Sequence, residues 1–336
     1  MRKRNTTCLF ALLTLGVLLL FCGSLMVGDQ LLSAGQLWSV LTGEERDGIA
    51  RSIVLDIRLT RTAVAVLIGM ALSASGLMMQ TVFQNPLADP YLLGVSSGAG
   101  LGVALFTLGA PLLGFSAASW VHSLGVVGAG WAGTVAVLLG VAIASRRIKN
   151  ILGILIVGVM VGYIAGAMIQ ILQYVSAAEQ LKTFALWSMG SLGHITRLQL
   201  EIMLAFILAG TVLAVACIKP LNLLLLGEEY ARTMGTNVRR AHALIFVSTA
   251  LLSGTVTAFC GPIGFIGLAI PHVARMLFGN ADHRVLLPAS LLLGILSMLV
   301  CDMLARLFLL PINCITALLG IPIILWVIVK NLRLAK

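Results

Sequence analysis

The amino-acid sequence predicts an all-α membrane protein that crosses the bilayer many times. Hydrophobic residues make up 60% of the chain and charged residues 10%, whereas a soluble domain carries roughly 25% charged residues. Apolar runs close to the ~20 residues that cross a bilayer recur along the whole length of the chain. Because backbone groups inside lipid must satisfy their own hydrogen bonds, we expect these runs to be helices.

Ten apolar runs are predicted to span the membrane. The first run follows a short basic N-terminus and in that respect imitates a signal peptide. It is long enough to span, however, and no small-residue cleavage site follows it, so we expect it to be retained as the first helix. The predicted spans are Thr7–Val27, Thr62–Val82, Leu92–Leu108, Leu124–Ala144, Ile151–Val175, Leu198–Cys217, Ala241–Cys260, Ile263–Phe278, Leu286–Arg306 and Ile312–Lys330.

The distribution of Lys and Arg predicts that both termini lie in the cytoplasm. With that orientation most basic residues fall on the cytoplasmic side, including those at positions 2–4, 146–149 and 330–336. An excess of Lys and Arg in cytoplasmic loops is the usual sign of topology in a multi-pass protein. The net charge of +10 is therefore explained by loops, and no nucleic-acid partner is predicted.

The most polar break in the second half of the chain is Leu221–Arg240, with the sequence LNLLLLGEEYARTMGTNVRR. Gly227 permits a turn, and the carboxylates of Glu228 and Glu229 suit the positive N-terminal end of a short helix. Gly235 is placed to end this helix. The segment is therefore predicted to contain short exposed helices that bind a partner protein outside the membrane. Its composition alone also fits an ordinary charged loop. The two candidates for capping the next helix are Thr236 and Asn237.

Glycines recur at every fourth position in the third and fifth predicted spans. Small residues at this spacing let two helix backbones approach closely, because lipid gives helices little hydrophobic reason to associate. In the fifth span the pattern also fits a smooth helix that lines a wide pathway at a subunit interface, so both interpretations stay open. The glycines are Gly94, Gly98 and Gly102 in the third span and Gly158, Gly162 and Gly166 in the fifth.

Three function classes find little support in the sequence. No lysine follows a glycine, so the chain is not expected to hold ATP through a P-loop. An ion-coupled transporter generally needs ionisable residues in mid-membrane, and the predicted span centres hold almost none. An intramembrane enzyme would need a nucleophile with a base or a metal cluster, but the histidines and the six cysteines are scattered. Asp282–His283–Arg284 lies in a predicted inner turn and is interpreted as structural.

Several stretches carry a resemblance to a known family. They are IRLTR (Ile57–Arg61), GMALSASGLMMQTVFQNPLADPYLLGVSSGAG (Gly69–Gly100), WSMGSLG (Trp187–Gly193), the polar segment Leu221–Arg240, GPIGFIGLAIPHVARMLFGNADHRVLLP (Gly261–Pro288) and LPINCITALLGIPIILWVIVK (Leu310–Lys330). In this order and spacing they resemble the permeases of the FecCD/BtuC family, the membrane subunits of type II ABC importers for iron–siderophores, haem and vitamin B12. The resemblance covers most of the chain. One departure is Thr60, where the family usually has Pro, so the start of the second span is expected to be less rigid.

The resemblance implies a BtuC-like permease in which residues 1–336 form a single transmembrane domain of ten helices with two pseudo-related halves. It implies a homodimer whose substrate path follows the two-fold axis. Two separate ATP-binding subunits would hold ATP and Mg²⁺, so the chain itself is expected to need no cofactor and to be no enzyme. A substrate-binding protein outside the cytoplasmic (inner) membrane would deliver a metal chelate, either an iron–siderophore or haem, with cobalamin or another corrinoid as the alternative.

The resemblance also implies roles for individual residues. The coupling segment, residues 219–240, would dock in a groove of the ATP-binding subunit. Arg58, Arg61 and Arg306 would bind acidic residues of the outer binding protein, because the planar guanidinium can hold a carboxylate by two hydrogen bonds. The alternative makes Arg306 a partner of Asp302, one turn earlier on the same helix, and the other two arginines interfacial anchors. The coupling residues are Leu226, Gly227, Glu228, Glu229, Arg232 and Gly235.

The helix that lines the substrate path in this family matches the fifth predicted span. The glycines of that span would therefore face the path. The cytoplasmic gate would lie at the turn that precedes the span, at Asn150 and Ile151. No set of metal ligands is predicted in the chain, so the metal would travel only as part of the cargo.

Overall fold

The structure, a computed structural model, describes residues 6–28, 32–42, 51–112, 119–145, 151–193 and 195–334. All regular secondary structure in these ranges is helical, and no β-strand occurs in them. This confirms the all-α prediction. Asn150, one of the two predicted gate residues, lies outside the described ranges.

Long helices alternate with short ones along the chain. In the first half the helices are α1 (Thr6–Met26), α2 (Ala34–Thr42), α3 (Ile53–Val82), α4 (Val95–Gly109), α5 (Ser119–Ser145), α6 (Ile151–Val175) and α7 (Ala178–Ser188). In the second half they are α8 (Arg197–Ala216), α9 (Ile218–Leu224), α10 (Glu228–Thr233), α11 (Val238–Cys260), α12 (Ile266–Phe278), α13 (His283–Phe308) and α14 (Ile312–Leu334). Parts of three helices are π-helical, namely Ile53–Arg58 in α3, Leu105–Gly109 in α4 and Ala250–Gly254 in α11.

Each of the ten predicted spans has a helix at its place in the chain. Within the described residues, 6 helices are long and apolar enough to cross a membrane, namely α1, α3, α6, α8, α11 and α13. The apolar parts of α4, α5, α12 and α14 that the structure describes are shorter. The helices therefore support a membrane-spanning chain, and the count of ten crossings stays a prediction.

The chain folds into two compact units that are interleaved in sequence. Unit 1 comprises Met1–Leu77, Leu192–Ala205 and Gly264–Lys336, and unit 2 comprises Met78–Ser191 and Phe206–Ile263. The three predicted docking arginines belong to unit 1. The coupling segment and the glycines of α6 belong to unit 2. The description of the whole chain as one transmembrane domain stays a prediction.

Unit 1 contains helix crossings at which glycine lets two backbones touch. A Cβ added to Gly76 of α3 would lie 1.8 Å from the carbonyl oxygen of Gly267 in α12. Gly69 of α3 and Gly294 of α13 form a reciprocal crossing, where added Cβ atoms would lie 2.3 and 2.2 Å from the opposite carbonyl oxygens. A larger residue at these positions would have to push the helices apart, so glycine sets the packing distance.

Unit 2 contains a similar crossing between α4 and α5. Added Cβ atoms on Gly98 and Gly133 would lie 2.6 and 2.0 Å from each other's carbonyl oxygens. One turn further along α4, a Cβ on Gly102 would lie 2.0 Å from the carbonyl oxygen of Ala129. These distances confirm tight packing as the role of Gly98 and Gly102 in the third predicted span.

Candidate functional site

The coupling segment contains the short helix that the sequence predicts. Gly227 precedes α10 with φ +100° and ψ 154°, a backbone conformation that is essentially restricted to glycine. Glu228 and Glu229 form the first turn of α10, and Gly235 follows the helix with φ +79°. No atom lies within 4 Å of a Cβ added at either glycine, so the backbone angles and not crowding require glycine here.

Asn237 caps the helix that follows. Its Oδ1 accepts a hydrogen bond from the backbone N–H of Arg240 at 3.1 Å, which satisfies one of the free N–H groups in the first turn of α11. Thr236, the other candidate, donates its backbone N–H to the carbonyl oxygen of Ala231 at 3.0 Å and closes the turn after α10. Asn237, and not Thr236, is therefore the residue that caps the start of α11.

Arg232 pairs with both carboxylates of α10. Its Nη2 lies 3.4 Å from Glu228 and its Nη1 lies 3.4 Å from Glu229. The side chain of Glu229 is 89% exposed and that of Arg232 is 53% exposed. Ion pairs this open to solvent contribute little stability, so Glu229 and Arg232 stay accessible to another protein, whereas Glu228 is 29% exposed and also lies 3.8 Å from Nε2 of His242.

Large apolar side chains lie beside these charges. They are Leu225, Leu226, Tyr230 and Met234, which are exposed by 41%, 61%, 48% and 58%. All of them lie outside the predicted membrane spans. Exposed apolar side chains with charged neighbours are typical of protein interfaces. The combination favours a partner-binding surface over an ordinary charged loop.

A turn that the sequence analysis did not single out holds the coupling segment in place. Gln84 follows α3 with φ +46°, and its Nε2 donates to the carbonyl oxygen of Leu224, at the end of α9, at 3.0 Å. Beside it, Phe83 stacks on Phe246 of α11 with ring centroids 6.3 Å apart. The Asn-Pro pair after Gln84 indicated a turn, but nothing in the sequence indicated a partner 140 positions away.

Asp89 lies further along the same connection, and its side chain is partly buried. Its Oδ1 accepts a hydrogen bond from the backbone N–H of Tyr91 at 2.8 Å and caps the 3₁₀ turn Pro90–Leu93. The hydroxyl of Tyr91 donates to the carbonyl oxygen of Ile263 at 3.1 Å. Burial raises the pKa of Asp89 from 3.8 to about 6, and the hydrogen bond from Tyr91 opposes this only in part.

The raised pKa of Asp89 predicts a change of stability with pH. The protonated carboxyl favours the folded state below its unfolded pKa of 3.8, and this contribution is lost as the pH rises through about 6. Asp89→Asn keeps an oxygen acceptor for Tyr91 but has no charge to bury. The variant is therefore expected to melt above wild type beyond about pH 6, with a difference that shrinks toward about pH 4. Melting followed by tryptophan fluorescence in detergent measures this, and a difference independent of pH would contradict burial as its cause.

Arg58, the first predicted docking residue, caps the C-terminal end of α1. Its Nη1 donates to the carbonyl oxygens of Leu25 at 3.1 Å and Met26 at 3.0 Å. Its guanidinium lies against Gly28, where an added Cβ would be 2.8 Å from Nη2. The last carbonyls of a helix lack intrahelical donors and carry partial negative charge. Arg58 is only 7% exposed, so its main visible role is to hold this helix end.

Arg306 of α13 caps the same end of α1. Its Nη1 donates to the carbonyl oxygens of Ser24 at 2.9 Å and Val27 at 2.8 Å. Its Nη2 binds the carboxylate of Asp302, one turn earlier on α13. This ion pair confirms the alternative that the sequence left open for Arg306. The side chain of Arg306 is 8% exposed, so little of its guanidinium faces a partner.

Arg61 differs from the other two arginines because it keeps exposed surface. Its Nε donates to Oδ1 of Asp302 at 2.8 Å, so Asp302 links α3 to α13. The side chain of Arg61 is 28% exposed, whereas that of Asp302 is fully buried. Sequence reasoning missed this pair, whose members are 241 positions apart. Docking by all three arginines stays a prediction, and Arg61 is the member whose side chain keeps the most exposed surface.

The three glycines of α6 have different surroundings. A Cβ added to Gly158 would lie 2.7 Å from the carbonyl oxygen of Leu92, so this position is packed against another backbone. At Gly162 the nearest atom would be Oγ of Ser97 at 3.2 Å, and at Gly166 no atom lies within 4 Å. Tight packing is therefore confirmed at Gly158. The pathway role stays a prediction, for which Gly162 and Gly166 have the more open positions.

One side of α6 has no partner in the described part of this chain. Its large exposed apolar residues are Ile156, Met160, Tyr163, Ile164, Met168, Ile171, Tyr174 and Val175. Lipid or a second subunit can cover such a face. Ile151, the second predicted gate residue, is the first residue of α6, and its side chain lies outside the described part. Within the described residues, no group of three or more His, Cys, Asp or Glu could hold a metal ion.

Comparison with known protein families identifies the family of this chain. Residues 16–330 match the FecCD transport family, which is nearly the whole chain. The chain belongs to the FecCD family. As a FecCD permease it is an integral protein of the inner membrane and a component of an ABC importer, and it is not itself an enzyme. The resemblance noted from the sequence motifs is thereby confirmed.

Individual relatives of this FecCD permease match nearly its full length. The hemin transport system permease protein HmuU of Yersinia pestis is 40% identical over 332 residues, 96% of this chain and 95% of the relative. The vitamin B12 import system permease protein BtuC of Salmonella paratyphi A is 39% identical over 339 residues, 99% of this chain and 98% of the relative. A metal-chelate type ABC transporter solved in an inward-facing conformation superposes with a TM-score of 0.84 at 30% identity, covering 96% of this chain and 99% of that one.

Proposed function

We propose that this FecCD-family chain is the permease subunit of an ATP-driven ABC importer that moves a metal chelate across the cytoplasmic membrane. The observation that carries the proposal is the match of 96% of the chain to a metal-chelate type ABC transporter, at 30% identity. The hemin and vitamin B12 permeases, at 40% and 39% identity, support the same cargo class. In both of those cargoes a metal ion is held in a large macrocycle, so the proposed cargo is bulky.

Energy would enter through the coupling segment from separate ATP-binding subunits. The chain offers no P-loop lysine, so ATP and Mg²⁺ would be held by those subunits. α10 is suited to receive their movement, because glycines at both ends set its orientation and the side chains of Glu229, Tyr230 and Arg232 are exposed. The hydrogen bond from Gln84 to Leu224 would pass a displacement of the segment to the end of α3.

The substrate-binding protein would dock at Arg61, on the outer side. Arg61 has exposed surface for an acidic partner, and it shares the carboxylate of Asp302 with Arg306. Arg58 and Arg306 would support the site as anchors of α1. A charge reversal at Arg58 would therefore disturb α1 as well as docking, so a clean test of docking belongs at Arg61.

Two copies of the chain would form the substrate path. The uncovered face of α6 is the proposed contact with the second copy, and Gly162 and Gly166 would leave room along the path for a bulky cargo. Nucleotide-driven closure of the ATP-binding subunits would move α10, the paired α6 helices would rearrange, and the chelate would pass inward. The gate would lie at the cytoplasmic start of α6, at Asn150 and Ile151, with both chain termini in the cytoplasm.

Reconstitution tests the proposed function directly. The permease, its ATP-binding subunit and its substrate-binding protein are purified and placed in proteoliposomes. We expect accumulation of haem that needs ATP and the binding protein, and a complex whose mass contains two permease copies and two ATP-binding subunits. Cobalamin and a ferric siderophore in parallel vesicles distinguish the cargoes.

Two outcomes would contradict the proposal. One is uptake by the permease alone, driven by an ion gradient without ATP. The other is a fully assembled complex that hydrolyses ATP in response to the binding protein and yet accumulates no metal chelate of any of the three classes. A complex with a single permease copy would contradict the homodimer only.

A further inference from the structure

We infer that Asp302 is a positioning residue that sets the guanidinium of Arg61 in the orientation needed to bind a carboxylate of the outer binding protein. The inference rests on the proposed function, because it concerns the construction of the proposed docking site. Asp302 is fully buried, so no partner can touch it. According to this inference it still contributes to the recognition of the binding protein.

Asp302 holds Arg61 by one edge only. Its Oδ1 accepts from Nε at 2.8 Å, while Nη1 and Nη2 donate to no partner in the part of the chain that the structure describes. The end of a guanidinium is a planar fork of parallel N–H groups that matches the two oxygens of a carboxylate. The edge that Asp302 leaves free is therefore well suited to bind a carboxylate by two hydrogen bonds.

The free edge of Arg61 lies at an exposed part of unit 1. Nη1 is next to Gly193, where an added Cβ would lie 3.5 Å from it, and Gly193 is itself exposed. Arg61 keeps 28% of its side chain exposed, whereas Asp302 has no exposed surface. An incoming carboxylate can thus reach Arg61 without meeting the negative charge of Asp302 directly.

The carboxylate of Asp302 is itself held rigidly. Its Oδ2 binds Arg306, whose Nη1 is fixed by the carbonyl oxygens of Ser24 and Val27. Arg61 is therefore tied, through Asp302 and Arg306, to the end of α1. An arginine that is already ordered loses less side-chain freedom when it binds, and this raises affinity.

A double-mutant cycle separates positioning from a purely structural role. Permease–ATPase complexes in nanodiscs carry Arg61→Ala, Asp302→Asn or both changes, and the affinity of the substrate-binding protein that supports uptake is measured for each. We expect Arg61→Ala to weaken binding by about 30-fold and Asp302→Asn by about fivefold to tenfold. Asp302→Asn should add no further loss once Arg61 is absent. An equal loss from Asp302→Asn in both backgrounds would overturn the inference.

A second variant keeps the inference testable if Asp302→Asn fails to fold. Arg61→Lys retains a positive charge that can pair with Asp302, so its melting temperature should stay close to wild type. A lysine held by Asp302 has no second edge to offer, so we expect its affinity for the binding protein to fall nearly to that of Arg61→Ala. Wild-type affinity in Arg61→Lys would overturn the inference. Wild-type affinity in Arg61→Ala would instead remove the docking site itself, and ATP-driven uptake would still stand.

Discussion

Replacement of Gly76 by alanine is expected to destabilise the protein by about 3 kcal/mol or more. A Cβ at this position would lie 1.8 Å from the carbonyl oxygen of Gly267 and 2.5 Å from its carbonyl carbon. The obstacle is backbone, which cannot rotate away as a flexible side chain can. The crossing of α3 and α12 would have to open, and the packing of unit 1 on both helices would open with it. Thermal melting of the purified protein in detergent measures the loss.

Gly140→Ala is the matched control for this prediction. Gly140 also lies within a long apolar helix, α5, but no atom lies within 4 Å of its added Cβ. Alanine is more favourable than glycine in a helix by about 1 kcal/mol, so this variant should melt at or slightly above the wild-type temperature. Equal melting temperatures for the Gly76 and Gly140 variants would show that the crossing of α3 and α12 is not close-packed.

Helix positions and local caps could be predicted from the sequence because both depend on residues close together in the chain. The apolar run Ile151–Val175 coincides with α6 in the structure. Gly227 and Gly235 indicated the ends of α10 because few other residues adopt positive φ. The sequence did not predict the short helices α2 and α7, which lie between the apolar runs and lack the length that makes a span recognisable.

Side-chain partners could not be predicted, because they depend on how distant helices pack. Gly158 and Gly166 follow the same regular spacing but have different surroundings. A Cβ added to Gly158 would lie 2.7 Å from a backbone oxygen, whereas a Cβ added to Gly166 would have no atom within 4 Å. Arg306 finds its carbonyl partner Ser24 at a separation of 282 positions. In the hydropathy pattern Ser24 is simply one residue of an apolar run. The pattern therefore did not indicate that an arginine would donate a hydrogen bond to its carbonyl oxygen. The arginines were recognised as a set through family resemblance, and only their geometry separates anchors from the exposed member.

Gly227→Ala is expected to uncouple ATP hydrolysis from uptake, lowering ATP-driven transport by about tenfold. Gly227 has φ +100° and ψ 154°, and a residue with a Cβ would be strained there by about 1–3 kcal/mol. Relief of that strain requires rotation of the backbone immediately before α10. The exposed side chains of Glu229, Tyr230 and Arg232 would then point away from the proposed contact with the ATP-binding subunit. Uptake and ATP hydrolysis are measured in the same proteoliposomes, so their ratio reports coupling.

Gly279→Ala controls for strain alone. Gly279 has φ +60° at the end of α12, and no atom lies within 4 Å of its added Cβ. Alanine there should lower the melting temperature, as at Gly227, but leave the number of chelates moved per ATP unchanged. The comparison therefore separates a loss of stability from a loss of force transmission. If both variants lowered the number of chelates moved per ATP equally, backbone strain in general would cause the defect. That result would contradict the proposal that ATP hydrolysis drives the permease through α10.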